Sequence, residues 1–193
     1  GFGLSIAGLV ILLVKGAHLG SPIHVVSYAL YGSTMILLFL FSTLFHSLIF
    51  TKAKKVFQVF DHASIFLLIA GSYTPFCLLS IQGWLGWTLF VAIWLLAISG
   101  IVYKSITLHK QETVSKISTV IYIIMGWLCL FAFQPLTHSL GLWGTILLAS
   151  GGVSYTVGAL FYSLKHVRFM HVVWHLFVML GAGLMYFSVL FFT

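Results

Sequence analysis

Residues 169–192 of the chain read FMHVVWHLFVMLGAGLMYFSVLFF. This run contains no Asp, Glu, Lys or Arg, and as a helix rising 1.5 Å per residue it is long enough to cross a hydrocarbon layer about 30 Å thick. Similar runs recur along the chain, which is 61% hydrophobic and 6% charged. Because a soluble domain carries about 25% charged residues, we predict an all-α integral membrane protein.

The polar breaks in the sequence separate seven apolar segments. A membrane-spanning β-barrel would instead show alternating runs of about ten residues, so we predict a single seven-helix transmembrane domain over residues 1–193. Since the chain opens in apolar sequence without an initiator Met, we also expect its natural N-terminus to lie further upstream. The predicted helices cover residues 2–19, 25–50, 57–80, 84–103, 116–133, 140–164 and 169–192.

Basic residues fall in the connections at one end of these helices. The positive-inside rule makes that end cytoplasmic, so we predict a cytoplasmic N-terminus and an external C-terminus. Lys15 is the single exception and is expected to snorkel. Short basic clusters between apolar runs do not form the continuous basic face that nucleic-acid binding requires, so no nucleic-acid partner is expected. The clusters are Lys52, Lys54 and Lys55, then Lys104, Lys110 and Lys116, and finally Lys165 and Arg168.

Four ionisable side chains lie inside the predicted spans at a common depth. Counting residues from the nearest basic cluster, His46 and Asp61 each lie roughly 9 Å of helix from the cytoplasmic boundary, and His171 and His175 lie roughly 4 to 11 Å from it. A charged group at the centre of a span costs at least about 2.5 to 3.5 kcal/mol. A shared depth on three helices therefore indicates a functional site.

Three histidines of this layer have the pattern of a zinc site. His171 and His175 are four residues apart, so they lie on one helix face and can hold one ion together. With His46 they supply three nitrogen ligands, the number typical of a catalytic zinc that keeps a fourth position for water. We therefore predict Zn²⁺ as the cofactor, although histidines in spans can also serve only as interhelical hydrogen-bond partners.

Asp61 and Ser42 are the predicted catalytic residues. Asp61 would act beside the metal as a general base, as a fourth ligand or as a hydrogen-bond partner of a ligand. Ser42 lies four residues before His46, so its hydroxyl faces the same side of the helix. Two alternatives are simpler: Asp61 pairs with Lys55 or caps its helix, and Ser42 only packs. His62 points about 100° away from Asp61 and is expected to pack.

Three ordered motifs resemble the bacterial hemolysin III family, which is related to the progestin and adiponectin-type receptors and to the alkaline ceramidases. The resemblance covers essentially the whole chain. It implies a seven-helix bundle with a cytoplasmic N-terminus in the bacterial plasma membrane, and zinc held by His46, His171 and His175 with Asp61 and Ser42 beside it. The motifs are Ser42-x-x-x-His46, the stretch from Asp61-His62-Ala63-Ser64 through Ala70-Gly71-Ser72-Tyr73-Thr74-Pro75-Phe76, and His171-x-x-x-His175.

The leading functional hypothesis is a zinc-dependent hydrolase of a lipid amide or ester, with a membrane lipid or its fatty acyl chain as the substrate. In this hypothesis Asp61 takes and returns the proton, and Ser42 helps to stabilise the oxyanion. The alternative is a non-enzymatic protein with a structural zinc, either lipid-sensing and receptor-like or membrane-perturbing. A proton or metal transporter ranks last, because the external halves of the helices carry few polar residues. The substrate and the oligomeric state are not predicted.

Overall fold

The computed structural model describes residues 1–107, 116–163, 167 and 169–193. All regular structure in these residues is helical, as the composition predicts, because a helix satisfies its backbone polar groups within its own segment. The chain divides into two compact units, Gly1–Ser115 and Lys116–Thr193. The expectation of one membrane domain over residues 1–193 stays a prediction.

The first unit contains four long helices joined by short turns. Gly20 follows the first helix with a φ of +65°, the left-handed conformation that glycine commonly adopts at a helix C-terminus. Pro22 begins the second helix at the position where its missing N–H removes no helical hydrogen bond. The helices are α1 at Phe2–His18, α2 at Pro22–Ser47, α3 at Lys54–Pro75 and α4 at Gly83–Thr107.

The end of α3 is irregular. The regular α-helix stops at Pro75 and continues as a π-helical segment over Phe76–Ile81, since proline lacks the N–H that the α-helical ladder needs. A side chain at Gly86 of α4 would collide with the carbonyl oxygen of Cys77 in this segment. The absence of a side chain at Gly86 therefore lets α4 lie close to the π-helical segment.

The core of the first unit is packed tightly between α2, α3 and α4. Gly71 of α3 lies against Thr34 of α2, where an added Cβ would collide with the threonine side chain. Thr34 is buried, and its hydroxyl donates a 2.8 Å hydrogen bond to the carbonyl of Tyr31. The buried ring of Phe66 on α3 covers Gly100 of α4 in the same way. Glycines thus mark the two close approaches of α3.

We expect Gly71→Ala to destabilise the first unit by about 1 to 3 kcal/mol, because the added methyl overfills a closely packed contact. Gly3→Ala on α1 is the matched control, since an added Cβ there meets nothing within 4 Å. Unfolding of both variants in mixed micelles measures the free-energy difference. Equal stability of the two variants would contradict the packing described for Gly71.

The second unit contains three helices and a short 3₁₀ segment. The predicted connection over residues 134–139 is wrong because these residues are helical, whereas the predicted start of helix six near Leu140 agrees with the backbone break at Gly141. Pro135 lies in the first turn of its helix, where proline is tolerated. The interruption falls at Gly141, with φ of 62° and ψ of −173°. The elements are α5 at Lys116–Trp127, the 3₁₀ segment at Leu128–Ala132, α6 at Phe133–Ser163 and α7 at Met170–Phe192.

A row of glycines on α6 forms the seam with α7. Gly144, Gly151 and Gly158 are seven residues apart, which is nearly two full turns, so they lie on one face. The hydroxyl of Ser154 on α6 also donates a 3.0 Å hydrogen bond to the backbone carbonyl of an α7 residue. The seam therefore fixes α7, which carries two of the predicted zinc ligands. The α7 side chains over the glycines are Phe192 at Gly144, Met185 at Gly151, and Trp174 and Phe177 at Gly158.

Five helical stretches of the described chain are long and apolar enough to cross a membrane, by length and composition. Helix α1 is also apolar but has 17 residues, as expected from its short apolar run. Several spans of this kind characterise a multi-pass membrane protein. The five stretches are Pro22–Ser47, Lys54–Ile81, Gly83–Ile106, Ser118–Ser163 and Met170–Phe192.

Two of the basic residues make contacts inside the protein and do not simply mark the ends of helices. Lys104, which the sequence analysis placed in a connection between helices, lies in α4 and is 3% exposed. The ammonium group of Lys15 lies 5.3 Å from the ring centroid of Tyr28 on the next helix, so a cation–π contact accompanies its position near the end of α1. Three further residues of the predicted basic clusters lie outside the described residues, namely Lys110, Lys165 and Arg168.

Candidate metal centre

The start of α7 presents two predicted ligands on one face. Phe169, with a φ of +66°, precedes the helix, and His171 lies in the first turn. The Nε2 atoms of His171 and His175 are 3.1 Å apart. Two nitrogen ligands of one tetrahedral zinc ion, each about 2.0 to 2.1 Å from the metal, are about 3.3 Å apart. The observed separation therefore fits a shared ion.

The contact between His171 and His175 can also be a hydrogen bond between the two rings. At 3.1 Å, one of the two rings can donate its Nε2–H to the lone pair of the other. Ligation of a metal needs both Nε2 lone pairs, so the proton of the donating ring must move to Nδ1. In either form, the Nε2 atoms of His171 and His175 lie beside each other at 3.1 Å.

Asp61 and Ser42 meet between α3 and α2 in the first unit. The side chain of Ser42 lies close enough to the carboxyl group of Asp61 to interact with it. Ser42 precedes His46 by one helical turn, so the two side chains share a face of α2. Among the described residues, the carboxyl group of Asp61 interacts with Ser42 and not with Lys55. Because α3 begins at Lys54, Asp61 lies in its third turn and does not cap it.

The surroundings of His46 and His62 differ. His46 is exposed, whereas His62 is 6% exposed. The ring of Phe45 lies beside both, with its centroid 5.0 Å from that of His46 and 6.4 Å from that of His62. The expectation that His62 packs inside the protein is confirmed by its burial.

His171 and His175 belong to the second unit and His46 to the first, so the assignment of His46 as a third ligand stays a prediction. Imidazole nitrogen suits zinc, copper, iron and nickel. The roles predicted for Asp61, as general base, fourth ligand or hydrogen-bond partner of a ligand, stay predictions.

Tyr162 and Trp174 are neighbours of the histidine pair that the sequence analysis missed. The ring centroid of Tyr162 is 5.8 Å from that of His171 and 5.4 Å from that of Trp174. One signal for Tyr162 was available, since it lies three residues before Lys165 and hence at the depth of the histidines.

Comparison with known proteins gives matches along nearly the whole chain. The family model described as haemolysin-III related matches residues 1–186. Hemolysin-3 of Bacillus cereus is 47% identical over 190 residues, covering 98% of this chain and 85% of that protein. The Hemolysin-3 homolog of Bacillus subtilis strain 168 is 44% identical, covering 98% and 87%. The monocyte to macrophage differentiation factor of Homo sapiens is 30% identical over 166 residues, covering 83% and 67%.

Proposed function

The chain belongs to the haemolysin-III-related family, and we propose that this multi-pass protein of the cell membrane is a zinc-dependent hydrolase of a lipid amide or ester. The observation that carries the proposal is the proximity of the Ser42 side chain to the Asp61 carboxyl group, one helical turn from His46. A structural zinc needs four closing ligands and no acid–base group. A carboxylate held beside a three-histidine group is what hydrolysis requires.

Zinc is the metal that we assign to His46, His171 and His175. Three neutral imidazoles leave a fourth coordination position open, as in catalytic zinc sites. When bound, zinc would act as a Lewis acid and make water nucleophilic near neutral pH. The 3.1 Å separation of the two Nε2 atoms on α7 supports this assignment.

Asp61 is the proposed general base and general acid. As the oxygen of a water molecule bonds to the substrate carbonyl carbon, the carboxylate takes the proton of that water. The protonated Asp61 then gives this proton to the leaving nitrogen or oxygen. At the same time, the bond between the carbonyl carbon and that nitrogen or oxygen breaks. The products are a fatty acid and an amine or alcohol.

Ser42 is the proposed partner of Asp61. A hydroxyl has one proton to donate, and its bond to the Asp61 carboxylate holds that group in place for the first proton transfer. Once Asp61 is protonated, the Ser42 hydroxyl is released to donate to the oxyanion that develops on the substrate. Both roles require the serine to lie on the same face of α2 as His46.

Lipid turnover tests the proposal directly. The purified, zinc-loaded protein is incubated in nanodiscs with ceramides, N-acyl amines or phospholipids, and the released fatty acid is measured. Release by the wild type that is lost in Asp61→Ala supports the proposal. Absence of release from all three lipid classes, with wild type equal to Asp61→Ala, would sink it.

A second candidate function follows from the names of two relatives, Hemolysin-3 of Bacillus cereus and the Hemolysin-3 homolog of Bacillus subtilis. In this alternative, the chain perturbs membranes or senses lipid without catalysis, and zinc only joins helices. Changing the histidines to alanine should then lower thermal stability. Asp61→Ala should leave the membrane phenotype intact, which separates this alternative from hydrolysis.

We further propose seven spans, with the N-terminus in the cytoplasm and the C-terminus outside. The stretch Ser118–Ser163 has 46 residues, about 69 Å as a straight helix, which is twice the thickness of the hydrocarbon layer. The interruption at Gly141 divides it into two spans. Helix α1 supplies the remaining span.

The proposed orientation predicts the behaviour of reporter fusions. Alkaline phosphatase fused after Thr193 should be active, and green fluorescent protein at the same position should be dark, because only the phosphatase matures outside the cytoplasm. A green fluorescent protein inserted within residues 108–115 should fluoresce and serves as the internal control. The reverse pattern at the two positions would contradict the orientation.

A further inference from the structure

The ring of Tyr162 in α6 touches both a predicted zinc ligand and its neighbour on α7. It is tilted by 50° against the ring of His171 and by 53° against that of Trp174. Trp174 lies three residues after His171 and directly before His175, so it is part of the same helical turn as the ligand pair. Tyr162 of α6 therefore contacts the histidine pair of α7 at His171.

Gly158 lies one turn before Tyr162 on α6 and receives Trp174. An added Cβ there would lie 3.1 Å from Cε3 of Trp174 and 2.9 Å from Cβ of Phe177. Both contacts are closer than ordinary packing allows. A side chain at position 158 therefore requires Trp174 or Phe177 to shift.

The backbone of α7 is held at the same level. The Ser154 hydroxyl donates to the carbonyl oxygen of Phe177 at 3.0 Å, and the rings of Phe161 and Phe177 lie 5.4 Å apart. Since the backbone is fixed, the remaining freedom of His171 is rotation about its two side-chain dihedrals. The Tyr162 ring lies beside the His171 ring, with 5.8 Å between the centroids.

We propose that Tyr162 and Gly158 are positioning residues that set the orientation of the His171 ring, so that its Nε2 meets Nε2 of His175. This inference rests on the proposed metal-binding function of the pair. Tyr162 acts by direct aromatic contact with His171, and Gly158 acts through Trp174. Loss of groups that orient a ligating histidine typically weakens metal affinity by about 10 to 100-fold.

Two glycines on α6 provide matched controls. At Gly151, an added Cβ would lie 2.7 Å from the side chain of Met185, so Gly151→Ala strains the same seam but away from the histidines. At Gly152, the nearest atoms are 3.9 Å away, which is ordinary contact. Gly151→Ala therefore measures the effect of disturbed helix packing alone. Gly152→Ala measures the effect of replacing glycine by alanine where no close contact is made.

Titration of the full-length protein with Co²⁺, followed by the visible absorption of the ion, measures affinity and ligand geometry together. We expect Tyr162→Ala and Gly158→Ala to bind Co²⁺ about 10 to 100-fold more weakly with altered absorption bands. Tyr162→Phe, which keeps the ring, should stay within about twofold of wild type. Gly151→Ala should lower the unfolding temperature with unchanged affinity and bands. The proposal would be overturned if Gly151→Ala weakened Co²⁺ binding as much as Gly158→Ala. It would also be overturned if Tyr162→Phe weakened Co²⁺ binding as much as Tyr162→Ala.

A readout without metal separates this inference from the proposed function. In protein carrying ¹³C-labelled histidine, the His171 ring signal, assigned by its loss in His171→Gln, should be displaced by the Tyr162 ring current. Tyr162→Ala should remove this displacement and Tyr162→Phe should retain it. If the wild type binds no Co²⁺ but shows this pattern, metal binding is refuted and the orienting contact stands. If Tyr162→Ala leaves the His171 signal in place, the positioning proposal is refuted whatever the metal affinity.

Discussion

Asp61→Asn is expected to lower the turnover of lipid substrate by at least about a hundredfold and to leave the zinc content unchanged. Asparagine has nearly the same size but cannot take up a proton near neutral pH, and positioned acid–base groups contribute about 10²- to 10⁴-fold to rates. Fatty acid release in nanodiscs measures turnover. Elemental analysis of the same sample gives zinc per chain.

Two comparisons sharpen the Asp61 test. Val56→Ala changes an exposed side chain on the same helix and should match wild type in both measurements. Ser42→Ala removes the hydroxyl near Asp61 but leaves the base, so it should lose less activity than Asp61→Asn. A loss of zinc in proportion to the loss of activity in Asp61→Asn would show instead that Asp61 is a ligand.

The predictable part of the site depends on local properties of the sequence. Helix rise and the position of basic clusters placed His46, Asp61 and the α7 pair at one depth, and a spacing of four placed Ser42 with His46 on one face. In the structure the Ser42 side chain lies near the Asp61 carboxyl group, a contact that was not predicted. Neither property identifies the partner of the Asp61 carboxyl group, so pairing with Lys55 remained open until α2 and α3 were seen together.

Residues 134–139 were mispredicted as a connection because proline and glycine carry ambiguous signals. Pro135 was taken as part of a connection, but it lies in the first turn of α6, where its missing N–H removes no hydrogen bond. Gly141 sits between leucines, and an isolated glycine in an apolar run is compatible with a continuous helix. Its φ of 62° becomes visible only in the structure.

The role of α6 behind the histidine pair could not be predicted, since it depends on which faces of two helices meet. The spacing of Gly144, Gly151 and Gly158 indicates a close helix approach, but not the helix that approaches. Only the packed pair shows that Trp174 covers Gly158 and that Tyr162 lies beside His171. Contacts between residues distant in sequence decided this part of the site.

His171→Ala is expected to weaken zinc binding by about a hundredfold or more. Structural zinc sites supply about 10 to 16 kcal/mol from four ligands, on the order of 3 kcal/mol for each ligand, which is about a hundredfold in affinity. His175→Ala should have an effect of the same size, because the two Nε2 atoms are 3.1 Å apart. Competition with a chromophoric chelator measures the affinity.

His18→Ala is the matched control for this prediction. His18 is exposed on α1, and its Nδ1 lies 2.8 Å from the carbonyl oxygen of Val14, outside the three-histidine group. Zinc affinity in His18→Ala should equal that of wild type. Wild-type affinity in both His171→Ala and His175→Ala would refute the assignment of these residues as ligands.

The unfolding temperature of His171→Ala then separates a catalytic zinc from a structural one. A ligand that binds only the folded state stabilises it in proportion to the logarithm of its concentration over Kd, so either kind of zinc adds some stability. A structural zinc predicts that His171→Ala and chelator-treated wild type both lose most of their stability, while Asp61→Asn keeps the membrane phenotype. If the protein is a hydrolase, Asp61→Asn should abolish turnover. Zinc occupancy and the unfolding temperature should both stay at the wild-type values, because proton transfer by Asp61 is needed only for the reaction.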